Sequence, residues 1–187
     1  MKTIRTFIAI PLDDEVRRAA IKMIGKLRAP EDGIKWVPTD NLHLTLKFLG
    51  EVENMEVPGV CKILRDVCRD HEPFHLVFGG ASGLPDIARS RVVCASVEDS
   101  SQSLTRIVTQ LEQDYAEIGF KQEPRDYVPH LTLGRAKGRR ANAEVVERVQ
   151  QHAESELGTM TVDTVCVFGS FLEKGGPVYQ IMNTIDL

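Results

Sequence analysis

Nowhere in its 187 residues does the chain have a run of 18–20 apolar residues, so no bilayer-spanning helix is expected. It also lacks a surplus of positive charge. The formal net charge is −4, which argues against a broad electrostatic grip on a nucleic-acid backbone and leaves room only for a local basic patch. Its four cysteines, Cys61, Cys68, Cys94 and Cys166, include no C-x-x-C pair and sit among apolar neighbours. Reduced core thiols are therefore expected rather than a zinc site or a disulfide frame, and with them a cytoplasmic location. No short-period repeat appears. The N-terminal segment offers a basic start and then apolar residues, but the run stops at Asp13-Asp14 with no small-residue cleavage site, so it reads as a strand rather than a signal peptide.

What is present is globular. Hydrophobic residues make up 42% and charged residues 27% of the chain, enough to bury one substantial core and unlike a disordered tail. Ile4 to Ile10 reads as a strand ended by Pro11. From Asp13, Val16, Ala20, Met23, Ile24 and Leu27 recur at helical spacing as far as Pro30. A short Ile34–Val37 segment, an alternating strand from Asn41 to Phe48, a helix from about Val57 to Arg69 and a strand from Phe74 to Phe78 follow. The order then repeats: strand 91–97, helix 101–118 with Gly119 as its cap, a strand around His130, helix 142–157, and strands near 161–168 and 178–182. Equivalent elements are offset by 85 to 88 residues. The pattern predicts an internally duplicated α+β unit, with halves 1–88 and 89–187 interlocked in one bilobal domain.

The two equivalent strands share a tetrapeptide, His43-Leu44-Thr45-Leu46 and His130-Leu131-Thr132-Leu133, 87 residues apart. Strand alternation places His43 and Thr45 on one face and Leu42, Leu44, Leu46 and Phe48 on the other. The leucines anchor each strand, so the polar pairs face a cleft. Two imidazoles with ordinary pKa values near 6.5 can divide the work of hydrolysing a phosphodiester: one takes the proton of water and the other protonates the leaving oxygen. Threonine hydroxyls two residues along can donate hydrogen bonds to the non-bridging oxygens. On spacing alone the two histidines are interchangeable.

Further segments accompany these motifs: Arg5-Thr6-Phe7-Ile8-Ala9-Ile10-Pro11, Trp36-Val37-Pro38, Asn41 through Gly50, Pro129 through Arg135, and Gly175-Gly176-Pro177-Val178-Tyr179. Together they resemble the two-histidine phosphoesterases, in particular the RNA 2′,3′-cyclic phosphodiesterases formerly called 2′-5′ RNA ligases, over essentially the whole chain. The resemblance implies antiparallel sheets facing a central cleft and metal-independent, cofactor-free hydrolysis of a terminal 2′,3′-cyclic phosphate to a 2′-phosphate. It implies that His43 is the proton donor to the leaving 3′ oxygen and His130 the acceptor from water, with Thr45, Thr132 and Arg135 at the phosphate. The expected substrates are RNA 3′ ends or small cyclic nucleotides, acted on by a monomer away from membranes. Ligation in reverse and a non-catalytic RNA-end binding module are the competing readings. Gripping one terminal phosphate predicts a shallow salt dependence.

Arg135 raises a geometric difficulty. Strict alternation puts it on the Leu131 face, so a bulge or strand end at Gly134 is required to bring it to the histidine face. Lys137, Arg139 and Arg140 extend a basic loop beyond it. Other motif-like segments read as decoys. His71-Glu72-Pro73-Phe74-His75 spells H-E-x-x-H, but Pro73 is incompatible with the required helix. Gly79-Gly80-Ala81-Ser82-Gly83 lacks the lysine and hydroxyl of a phosphate loop and reads as a flexible connection. His152 reads as a bystander, and Trp36 and Phe48 as core residues rather than base-stacking platforms.

Overall fold

Strand alternation and helical periodicity resolve into nine strands and four helices among residues 2–187, the part described by the computed structural model. In chain order they are β1 (Thr3–Pro11), α1 (Asp14–Leu27), β2 (Ile34–Trp36), β3 (His43–Glu53), α2 (Val57–Cys68), β4 (Phe74–Leu84), β5 (Val92–Glu98), α3 (Ser103–Glu117), β6 (His130–Ala136), α4 (Ala143–Gln151), β7 (Gly158–Val162), β8 (Thr164–Glu173) and β9 (Gly176–Asp186). Local chemistry sets the helix ends. The Asp13 carboxylate accepts the Val16 amide at 2.8 Å, and Asn142 does the same for Val145 at 2.9 Å. Gly119, at φ 95°, ends α3 and lets the Phe120 amide reach the Tyr115 carbonyl at 3.0 Å.

The strands form two antiparallel sheets, ordered β3-β1-β8-β9 and β2-β6-β5-β4-β7. This is an α+β fold in which each sheet mixes early and late strands: β2 and β4 join β5, β6 and β7 in the second sheet, and β8 and β9 join β1 and β3 in the first. The helices mix in the same way. α2 and α3 pack together, against β3, β8 and β9, whereas α1 and α4 pack together against β7 and β4. One continuous hydrophobic core results, including Ile8, Ile10, Leu44, Leu64, Leu104, Leu131 and Leu133, all almost fully buried. A second, small apolar cluster of Phe7, Ala9, Cys166 and Phe168, with Tyr179 against it, lines the opposite face of the first sheet.

Three sequence expectations change. Gly79–Gly83 is not a loose connection but the second half of β4, and the glycines are there for close approach: a Cβ on Gly80 would strike the Ala153 carbonyl, and one on Gly83 would meet the Ser90 side chain at 2.5 Å. The expected strand 161–168 is two strands, β7 and β8, assigned to different sheets and separated by Asp163. The helix expected to reach residue 157 stops at Gln151, because the turn after it is used for tertiary bonds: the His152 carbonyl accepts the Ala81 amide at 3.0 Å and the Leu157 amide donates to Phe78 at 2.9 Å. All four cysteines are buried and unpaired. Burial pushes the Cys68 and Cys94 thiols up to about 12, which leaves them unreactive.

Candidate active site

His43 and His130 occupy the first positions of β3 and β6 and are held in the same way. The Nδ1 atom of each lies 2.7 Å from the backbone carbonyl two residues upstream, Asn41 for His43 and Val128 for His130. A carbonyl can only accept, so both Nδ1 atoms carry hydrogen, and the neutral rings present Nε2 as the proton-accepting nitrogen. The Nε2 of His43 lies 2.9 Å from the Thr45 hydroxyl. Both imidazoles titrate below their ordinary value. Burial is the main cause in each case, the backbone bond opposes it, and the positive charge of Arg135 adds to it. Arg135 is therefore electrostatically close to both histidines. β3, with His43 and Thr45, and β6, with His130, Thr132 and Arg135, meet.

Arg135 arrives through a bulge. On β5, Cys94 pairs with Thr132 but the next residue back, Val93, pairs with Gly134, so Leu133 and Gly134 are both buried and Arg135 turns out. β3 has the same slip at the same place. Ala9 pairs with Thr45 and Ile8 with Lys47, so Leu46 and Lys47 are both buried and Phe48 turns out, 58% exposed. The expectation that Phe48 shares the leucine face and enters the core is thus overturned, because alternation fails at the bulge. Trp36 does pack against the core, with its Nε1 donating to Asp32 at 2.9 Å.

The bulges deliver different chemistry. On the first sheet, Phe7 has its ring centre 4.8 Å from His43, 5.9 Å from Phe48, 5.2 Å from a stacked Phe168 and 5.0 Å from Tyr179. Tyr179 also meets the His43 ring edge-on at 5.3 Å. The hairpin carrying Tyr179 is pinned where Asn41 donates to the Pro177 carbonyl at 2.8 Å. On the second sheet the residues of β5 paired with His130, Thr132 and Arg135 are Ser96, Cys94 and Val92. One wall is aromatic. The other presents small residues and a cation.

Two tethers hold these walls together. The Tyr127 hydroxyl, three residues before His130, donates to the Thr45 carbonyl at 3.0 Å. Lys47, buried by the bulge, donates to Glu112 at 2.7 Å and to the Lys121 carbonyl at 3.1 Å, and the same carboxylate oxygen accepts the Glu123 amide at 3.0 Å. The segment leading to the second histidine is thereby fastened to the strand carrying the first. Sequence reading passed over Phe7, Phe168, Tyr179, Asn41, Tyr127 and the Lys47–Glu112 pair as site components. The available signal was a cluster of aromatic residues in the flanking motifs, which periodicity alone assigns to core.

Sequence comparison matches residues 12–169 to the model of the 2′-5′ RNA ligase superfamily. The chain belongs to that superfamily. It is 34% identical to a protein of Methanothermobacter thermautotrophicus named RNA 2′,3′-cyclic phosphodiesterase, over 98% of this chain and 99% of that one. A protein of the same name from Archaeoglobus fulgidus is 32% identical over 97% and 99%. Among solved structures, TT0787 of Thermus thermophilus superposes with a TM-score of 0.82 at 28% identity, covering 98% of both chains. LigT of Escherichia coli in complex with 3′-AMP gives a TM-score of 0.81 at 27% identity, covering 100% of this chain and 99% of that one.

The decoys fall away from the cleft of this superfamily member. His71 lies in the turn after α2 and His75 on β4, with its Nδ1 3.0 Å from the Thr161 hydroxyl, so they do not share a helix face. They line a separate hollow of about 650 Å³ that includes none of the motif residues. His152 caps the end of α4. Lys137, Arg139 and Arg140 follow β6 as exposed loop residues.

Proposed function

We propose that this protein hydrolyses the terminal 2′,3′-cyclic phosphate of RNA to a 2′-phosphate, without a metal or other cofactor. The reading rests on one observation: two imidazoles, each fixed through Nδ1 to its own backbone, stand on adjoining strands beside a guanidinium whose charge lowers the pKa of both. His43 is the more deeply buried, beside three aromatic rings. Its lowered pKa makes the protonated ring a strong donor to the departing 3′ oxygen once substrate is bound. His130 sits in the more open position and takes a proton from the attacking water. The water oxygen bonds to phosphorus, the bond from phosphorus to the 3′ oxygen breaks, and His130 leaves the step protonated. Thr45, Thr132 and Arg135 hold the non-bridging oxygens and the charge that develops on them. The Phe48 ring, exposed on the same face, supplies a stacking surface for the terminal base.

Imidazoles, hydroxyls and a guanidinium supply acid, base and charge stabilisation from the chain itself. A cation at Arg135 also disfavours a divalent metal beside it. The name of the RNA ligase superfamily raises the reverse reaction, in which an RNA 5′-hydroxyl takes the place of water with the same acid and base. The test is incubation of a short RNA ending in a 2′,3′-cyclic phosphate, with chelator and with a 5′-hydroxyl RNA in excess. Accumulation of the 2′-phosphate end is expected. A 3′-phosphate product would reverse the assignment of the leaving oxygen, a joined RNA as the main product would make the protein a ligase, and tight binding without turnover would make it an RNA-end binding module.

A further inference from the structure

The bulge that turns Arg135 into the cleft also fixes what stands beside it. β2 is the edge strand of the second sheet, and Lys35 is the cross-strand partner of Arg135, while Val92 pairs with Arg135 on its other side. Directly paired residues of an antiparallel sheet project from the same face. Lys35 therefore shares the face of Arg135, and its neighbours Ile34 and Trp36 turn the other way into the core, where they cover Gly134. Lys35 is exposed, and among the described residues neither it nor Arg135 takes part in an ion pair.

Two like charges directly opposite on a sheet repel, and an arrangement of this kind is relieved by an anion. The order from the site outward is Thr132, Arg135 and then Lys35 at the sheet edge. Beyond it the Lys137 amide donates to the Gly33 carbonyl at 2.8 Å, which holds the start of the basic loop against the same edge. Arg135 is the cation that both imidazoles feel, so it serves the reacting phosphate. Lys35 lies one strand farther out.

We propose that Lys35 forms a second anion subsite, which takes the phosphodiester immediately preceding the terminal cyclic phosphate, and that the protein thereby prefers an oligonucleotide end to a cyclic mononucleotide. The inference rests on the hydrolase reading above and specifies which substrate class that site selects. The chain would run from the histidines toward the β2 edge, with the phosphate groups following the two cations.

The experiment compares kcat/KM for a cyclic mononucleotide and for a dinucleotide carrying one internal phosphodiester and the same cyclic end, using the full chain and its Lys35→Ala and Lys35→Arg variants. The unaltered protein should favour the dinucleotide. Lys35→Ala should lower kcat/KM on the dinucleotide by about fivefold, through KM, and remove most of that preference. Lys35→Arg should restore it. The salt slope of log KM should be steeper for the dinucleotide by roughly 0.7, and this excess should vanish in Lys35→Ala. Equal losses on both substrates, or no loss on either, would overturn the subsite while leaving the hydrolase reading intact. Hydrolysis of neither substrate by the unaltered protein would overturn that reading and this inference together.

Discussion

The two sheets build their histidines by the same local rules and then part company. In both, the sequence His-Leu-Thr-Leu starts a strand, Nδ1 is bonded to a carbonyl two residues upstream at 2.7 Å, and a bulge interrupts alternation just after the threonine. What the bulge exposes differs: Phe48 on the first sheet and Arg135 on the second. What it buries differs too. Lys47 needs an ionic partner, Glu112, whereas its counterpart is Gly134, where a Cβ would meet Ile34 at 2.6 Å and Trp36 at 2.8 Å. The two motif strands thus share one geometry and differ in their walls, one aromatic and the other cationic.

The largest test of the comparison removes each histidine. His43→Ala and His130→Ala should each lower kcat by about 10²- to 10⁴-fold with the melting temperature nearly unchanged. An aryl phosphodiester with a good leaving group needs little acid, so it should recover rate with His43→Ala but not with His130→Ala. Equal recovery in both variants would dissolve the division of roles between the walls.

Next comes the cationic wall. Arg135→Gln should cost about 2–3 kcal/mol of transition-state stabilisation in kcat/KM. It should also move the pH profile. The kcat/KM bell follows the free-enzyme histidines, one protonated and one neutral, and both pKa values are lowered, so its centre should lie on the acid side of 6.5. Removing the positive charge raises both values and should shift both limbs to higher pH. A loss of rate with an unmoved bell would assign Arg135 to binding alone.

The aromatic wall should respond differently. Phe48→Ala should raise KM by about tenfold for substrates with a purine end, leaving the pH profile in place, since base stacking contributes roughly 1–3 kcal/mol. Smallest is the tether between walls. Tyr127→Phe deletes one hydrogen bond to the Thr45 carbonyl and should cost about 1 kcal/mol of stability, with a few-fold drop in kcat at constant KM. A fall in melting temperature with kcat intact would make that contact structural only.

Much of the fold and of the candidate site is legible in the sequence. The repeated tetrapeptide marks both histidines and both threonines as candidates, and the bulge that the sequence requires at Gly134 to turn Arg135 to their face is present. The same reasoning placed Phe48 wrongly. Nothing in the letters Leu46-Lys47-Phe48 says that two successive residues turn inward, because a bulge appears only when the strand is set against its partner. Gly79–Gly83 misled for a related reason: glycine marks both flexible turns and places where backbones touch, and the approach of Ala153 and Ser90 decides between them.

Sequence alone determined most of the elements, because hydrophobic period and helix caps are local, and it singled out the two His-x-Thr pairs, because a repeated polar face backed by leucines has no packing rationale. Tertiary structure decided how the halves are joined. The placement of β2 and β4 in one sheet and of β8 and β9 in the other depends on contacts far apart in the chain, and periodicity carries no information on which strand another will pair with. It also decided the character of the two walls: a slip in register against β1 and β5 inserts one extra residue into each motif strand, which turns Phe48 out on one sheet and Arg135 out on the other.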